Sequence, residues 1–239
     1  MKVAIMQPYF FPYLGYFSLI NMAEQFIIFD TPQFMRKGWI ERNRIIKLSG
    51  GSAYIKVPLK KAELNTSIKD MLIDDTTDWR KKILSQLDIY KKKSPYFMQV
   101  KLLVEKCLND EYIDIVSLNK RILTVICNYL GIDTEIKVYS EMNIDIDTPN
   151  APDEWALNIC KEIGATTYIN AVGGQDFFVP QKYKCNNVNL FFVEQPLTPY
   201  NQIRIDHEFE SGLSILDIMM FNSPEEIKAM LSEATLKSA

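Results

Sequence analysis

Three stretches of this 239-residue chain gather side chains that could handle a ligand, and each follows an apolar run. The richest is Asp30 to Arg44. Asp30 ends the run Phe26-Ile27-Ile28-Phe29, where a carboxylate would emerge at a sheet edge, and Gln33, Trp39, Arg42, Asn43 and Arg44 follow. Guanidinium groups offer a fixed fork to phosphate oxygens, and an indole offers a flat face to a base, a sugar ring or a cation. A solvated basic face would be rich in lysine and arginine but would less often include Trp39 and Asn43. This composition therefore predicts contact with an anionic ligand.

The earliest stretch is Gln7-Pro8-Tyr9-Phe10-Phe11-Pro12-Tyr13-Leu14-Gly15-Tyr16. Gly15 stands where a helix begins, and helix starts present free N–H groups and partial positive charge to phosphates. Aromatics beside a P-x-x-G turn also pack, so ligand binding and core packing both stay open for Gln7, Tyr13 and Tyr16. The third stretch, Ala171 to Phe178, holds Gly173-Gly174 and Asp176. Adjacent glycines let a backbone approach a ligand or turn tightly, and the turn is the default reading. Glu194 to Gln202, with Tyr200 and Gln202, follows another apolar run and could complete a pocket rim.

Other chemistries are excluded or demoted. The one histidine, His207, lies in the polar stretch Arg204 to Glu208 and reads as a solvated loop residue, so any catalysis is expected to proceed without histidine. Cys107, Cys127, Cys160 and Cys185 are widely spaced, with no C-x-x-C pair, which gives no zinc site and fits a reducing, cytoplasmic address. No metal and no cofactor is expected. A net charge of −3 gives no basic footprint for genomic nucleic acid. The apolar runs are too short to cross a bilayer, and the N-terminus does not read as a signal peptide.

The elements that must position these stretches follow an α/β rhythm. Lys2 to Met6 and Gln25 to Phe29 read as buried strands around a helix over Leu14 to Ala23, the start of a parallel, right-handed unit. Ala53 to Val57 and Ile68 to Ile73 read as short strands. Helical periodicity takes over between residues 77 and 131, with starts at Thr77 or Asp78, Ser94-Pro95 and Asp114, and a stop at Gly131. Strands are then expected at Glu135 to Tyr139, Thr167 to Asn170 and Val188 to Val193, with helices at Asp153 to Ile163, Leu213 to Phe221 and Pro224 to Leu231. The expected fold is a Rossmann-like, mostly parallel α/β sheet forming a single domain, with an inserted helical subdomain over about 77–131.

Phe11-Pro12-Tyr13-Leu14-Gly15-Tyr16 resembles the nucleotidylyltransferase motif in which two histidines flank a glycine, with Tyr13 and Tyr16 in the histidine places. That implies a related topology more than the same reaction, because tyrosine carries no positive charge. The chain as a whole resembles the WbqC-like family. Its carriers are Ile5 to Tyr16, Phe29-Asp30 with Gln33-Phe34, Gly38-Trp39 with Arg42-Asn43-Arg44, Trp79, Ser94-Pro95-Tyr96-Phe97, Gly164-Ala165 with Tyr168, Gly173-Gly174, Tyr200 with Gln202, and Leu213-Ser214-Ile215-Leu216-Asp217.

The resemblance implies a transferase of bacterial surface polysaccharide and O-antigen synthesis. It would move an acyl or aminoacyl (glycyl) group, from a donor the sequence does not name, onto the amine of a nucleotide-linked amino sugar. Asp30 would then be the base or amine-orienting group, with Asp176 as second choice, and Asn43 or the N–H groups near Gly173-Gly174 would receive the oxyanion. The alternatives are a nucleotidylyltransferase-like enzyme and a non-catalytic nucleotide-sugar binding protein. The aromatic-rich loops could equally serve a homodimer interface.

Overall fold

The computed structural model describes residues 1–203 and 208–239; His207 lies outside them. The opening run Lys2–Met6 forms β1, and Gln25–Ile28 forms β2, whose four residues are all buried. Continuous burial is what a central parallel strand covered on both faces requires. Between them α1 (Leu14–Met22) is buried from Leu14 to Ile20, so it is apolar on most of its circumference rather than striped. With β5 (Glu135–Val138), β6 (Thr167–Ala171), β7 (Asn189–Glu194) and β8 (Thr235–Ser238), these strands make a six-stranded sheet ordered β5-β2-β1-β6-β7-β8.

The first five strands in that order are mutually parallel, and β8 pairs antiparallel with β7 at the edge. Counted along the chain, the parallel strands run 3-2-1-4-5, which is the Rossmann order, and the direction of winding reverses between β1 and β6. The register there pairs Lys2 with Thr167 and Ala4 with Ile169. Period-two alternation sends Ala4 to one face and Val3 and Ile5 to the other. The first face packs under α1, α4 (Ile115–Leu130) and α8 (Pro224–Ser232), in one apolar cluster with α7 (Ile215–Phe221). The second packs under α5 (Glu154–Glu162) and α6 (Pro180–Cys185).

The helical stretch holds α2 (Trp79–Gln86), α3 (Phe97–Leu108) and α4. Asp78 caps α2 through Lys81 N, Asp114 caps α4 through Ser117 N, and Gly131 stops α4 at φ 66°. The long α4 lies against the sheet beside β5 and α8, so it shares the apolar cluster of the first face.

Several expectations are corrected. The stretch Asp30 to Arg44 runs into a strand the sequence reading did not include: β3 (Arg42–Ile46) pairs antiparallel with β4 (Ser52–Lys56) in a separate hairpin. Buried Asn43 and Ile45 alternate with half-exposed Arg42 and Arg44, and the two arginines disguise the strand as a basic loop. Ile68 to Ile73 is a 3-10 turn (Ile68–Asp70) followed by isolated bridges at Leu72 and Ile73. Ser94 does not cap α3; Tyr96 holds that position, and the Ser94 hydroxyl donates to the Met220 carbonyl. Tyr139 falls in a 3-10 turn beyond β5, and both α6 and β8 escaped the sequence reading.

Candidate functional site

Open α/β sheets bind ligands beyond the carboxyl ends of their strands, where the winding reverses. A cleft of about 710 Å³ lies there. Its floor is Ile5, Met6 and Gln7 from the end of β1, with Tyr168, Asn170 and Ala171 from β6. Tyr9 and Tyr13 from the β1–α1 loop, Phe29 and Thr31 after β2, and Trp39 form one wall. Trp155 at the start of α5 and the 3-10 turn Val172–Phe177 with Phe178 form the other.

The lining is aromatic and uncharged: among the described lining residues there is no Asp, Glu, Lys, Arg or His. The rings brace one another. Phe29 lies 5.6 Å from Trp155 and 5.5 Å from Tyr139, Phe178 lies 5.6 Å from Tyr168, and Tyr168 stacks on Tyr183 at 5.7 Å. Trp39 and Phe177 are 40% and 53% exposed, so the mouth keeps large apolar surface in water. Burial raises the Tyr9 hydroxyl above its ordinary value, with a further push from Tyr13, and burial alone raises Tyr13. Both stay protonated donors at neutral pH. The Thr31 hydroxyl is buried without a partner.

The β1–α1 loop that carries Tyr9 and Tyr13 is held by its carbonyls. Tyr16 donates to Gln7 O (2.7 Å), Asn119 Nδ2 to Pro8 O (2.9 Å), and Asn43 Nδ2 to Phe10 O (3.0 Å) and Phe11 O (2.9 Å). Ser214 donates to Phe11 O (2.7 Å) and the Ile215 N–H to Pro12 O (2.8 Å). Asn119 donates as well to Ile40 O (2.9 Å), and Phe10 N–H to Trp39 O (2.8 Å), which locks the Trp39 segment to the same loop. Phe11 sits at φ 40°, a left-handed conformation costing about 1–2 kcal/mol for a residue with a side chain. Such strain persists only where surroundings over-determine it, and here three buried polar side chains from distant parts of the chain do so.

The predicted site residues separate accordingly. Gln7, Tyr13, Trp39, Gly173 and Gly174 line the cleft. Tyr16 is buried with its hydroxyl spent on Gln7, and a Cβ on Gly15 would come within 2.6 Å of the Tyr13 ring, so this glycine makes room for Tyr13. Asn43 is 4% exposed and spends its amide on the loop carbonyls while its Oδ1 accepts from Arg44 N. Arg44 lies 5.8 Å above Trp39 at the rim, donates to Gly212 O and pairs with Glu210 at 3.6 Å. Arg42 stacks on Tyr54 at 4.1 Å and donates to Lys37 O, and Gln33 donates to Leu64 O, both away from the cleft lining.

Asp30 is 1% exposed, and its carboxylate accepts from Ser140 N (3.1 Å) and Ser140 Oγ (2.5 Å). It lines a different, polar groove of about 450 Å³ with Lys69, Lys120 and Arg121, beside α4. Phe29 and Asp30 thus serve opposite sides of the sheet end. Asp176 is exposed on the 3-10 turn and does not line the cleft. Tyr200 and Gln202 both hydrogen-bond Asp217, as does Tyr90, in a buried cluster of their own. Burial raises the Asp217 carboxyl above its ordinary value despite these donors. Sequence reasoning missed Tyr9, Phe29, Thr31, Trp155, Asn170, Phe177 and Phe178 as lining. The signal for Trp155 was an aromatic in the first turn of an amphipathic helix just after a Pro-Asn-Ala-Pro loop. Among the described residues, no group of three or more His, Cys, Asp or Glu could hold a metal ion.

A mostly parallel sheet in this strand order, with helices on both faces, defines a Rossmann-like α/β protein. The chain belongs to the WbqC-like protein family, whose profile matches residues 7–229. It is 30% identical over 221 residues to the uncharacterized protein Rv1507c of Mycobacterium tuberculosis (strain ATCC 25618 / H37Rv), covering 91% of this chain and 92% of that protein. No solved structure matches it. No helix among the described residues is long and apolar enough to cross a membrane.

Proposed function

We propose that this WbqC-like protein binds a nucleotide-linked amino sugar in the cleft between β1 and β6 and serves the assembly of bacterial surface polysaccharide, O-antigen included. In this reading it works in the cytoplasm and moves an acyl or aminoacyl group, such as glycyl, onto the sugar amine. The observation that carries the proposal is the cleft itself: a pocket of about 710 Å³ at the reversal point, walled by rings suited to a base or a sugar. Arg44 above Trp39 would meet a phosphate leaving the mouth. The three buried cysteines, none of them disulfide-bonded, support a reducing compartment.

Acyl transfer joins the amine nitrogen to the acyl carbon as that carbon leaves its donor, and a base must take the amine proton. Asp30, the base expected from the sequence, opens on the polar groove across the sheet end and does not reach an amine held in the cleft, so in this reading the proton acceptor comes with the donor. One observation favours a second reading, a nucleotide-sugar binding protein without chemistry: the cleft lining carries no carboxylate or imidazole. A thermal-shift panel of nucleotide-sugars tests the binding. An amino-sugar nucleotide at about 100 times its Kd should stabilise the fold by about 2.7 kcal/mol. A mass-spectrometric search for N-acylated product, with the protein omitted as the control, then separates the two readings. Binding without product under any donor supports the second, and a panel with no hit refutes both.

A further inference from the structure

We infer that the cleft is a preformed socket for an uncharged, hydroxyl-bearing ring, glycosyl or nucleoside, and that the anionic phosphates of its ligand stay outside it. The inference rests on the nucleotide-sugar reading for its larger probes but names which part of such a ligand enters. Placing a phosphate among rings with no cation to receive it would strip its hydration without compensation. The described lining supplies no such cation. It supplies flat aromatic faces, which stack on the C–H face of a sugar or on a base. It also supplies neutral hydrogen-bonding side chains: Gln7, Tyr9 and Tyr13 line the cleft, and their amide and hydroxyl groups make no hydrogen bond to the protein among the described residues. An amide both donates and accepts, and a phenol does the same, which is the pattern hydroxyls and ring amides need. The carbonyl-held β1–α1 loop fixes Tyr9 and Tyr13 before any ligand arrives, so little ordering is lost on binding.

The test is calorimetric titration of the whole chain with uridine, thymidine, the methyl glycoside of N-acetylglucosamine, inorganic pyrophosphate, UDP-N-acetylglucosamine and dTDP-glucose. At least one neutral compound should bind and compete with a nucleotide-sugar, and which one binds says whether base or sugar enters. Pyrophosphate should not displace that neutral compound. Affinity for the neutral compound should change by less than about twofold between about 0.05 and about 0.5 M salt, because no ion pair is made inside the cleft. Tyr9→Phe and Gln7→Leu should each weaken binding about tenfold, the loss of one well-placed hydrogen bond, while the melting temperature holds. A purely structural role for these residues would move stability instead. Displacement of the neutral compound by pyrophosphate, a salt effect on its affinity beyond about twofold, unchanged affinity in both variants, or no binding by any probe overturns the inference. Neutral compounds binding where no nucleotide-sugar does would leave the socket standing and refute the nucleotide-sugar reading. Binding led by pyrophosphate would do the reverse.

Discussion

Asn119 offers the sharpest test of how the cleft is held. It is 0% exposed in the middle of α4, and its Nδ2 donates at 2.9 Å to both Pro8 O and Ile40 O, while its Oδ1 is buried without a partner. Asn119→Leu keeps the volume and removes both donors. Two buried carbonyls then lose their partners at about 1–3 kcal/mol each, and removal of the orphaned Oδ1 returns about 1 kcal/mol, for a net loss of about 1–5 kcal/mol. For a chain of this size that lowers Tm by about 2–20 °C. Asn119→Asp has the same shape but turns a second acceptor toward both carbonyls, so it should cost more than leucine at neutral pH. It should recover part of the loss in acid, where the protonated carboxyl can donate again. Urea denaturation followed by tryptophan fluorescence reads both, since Trp39 reports the loop directly. If leucine lies within about 0.5 kcal/mol of the native protein, or aspartate is no worse than leucine, the carbonyls do not depend on Asn119 and the reasoning fails.

Other outcomes follow from the same geometry. Gly15→Ala should displace the Tyr13 ring that its Cβ would meet at 2.6 Å, costing about 1–3 kcal/mol of stability and weakening any cleft ligand, as denaturation and titration would measure. Asp217 has its carboxyl raised by burial, so the native state holds that proton more tightly than the unfolded chain, and its contribution is present in acid and lost as pH climbs from the ordinary 3.8 through the raised value. Asp217→Asn should therefore gain in Tm relative to the native protein as pH rises across that window; a constant difference would contradict the shift. Burial pushes the Cys107, Cys127 and Cys160 thiols up to about 12, whereas Cys185 is exposed. A thiol reagent at neutral pH should titrate Cys185 alone in the folded protein and all four cysteines in denaturant.

How much of this was legible in the sequence depends on the length scale of each cause. Strands β1, β2, β6 and β7 announce themselves as apolar runs, and α4 announces its ends through Asp114 and Gly131, because those signals are local. The hairpin strand β3 hid because Arg42 and Arg44 occupy its outward positions and look like a loop's charges. Of the candidate residues, Gln7, Tyr13 and Trp39 reach the cleft because they follow strand ends, as topology demands. Asn43 drew notice for its chemistry, yet its work is mechanical, and only the burial of its amide against the Phe10 and Phe11 carbonyls tells the difference. Asp30 illustrates the period-two rule at a strand end: one residue beyond Phe29, it faces the other side of the sheet. Asn119 gave no signal at all, and Ser214 entered only through the family resemblance with no hint of its role, since their partners lie 111 and 203 positions away.

That separation sets the order in which competence is gained during synthesis. Loop closures spanning most of the chain come late, after the local helices and the β1–β2 pairing. A ribosome-bound chain that has emerged only through α4 would own the Asn43 and Asn119 clamps yet lack Ser214, the Ile215 amide and the whole of β6. Under the proposed function, recognition should thus be absent until Ser214 and Ile215 have cleared the exit tunnel, making ligand capture a readout of synthesis past that point.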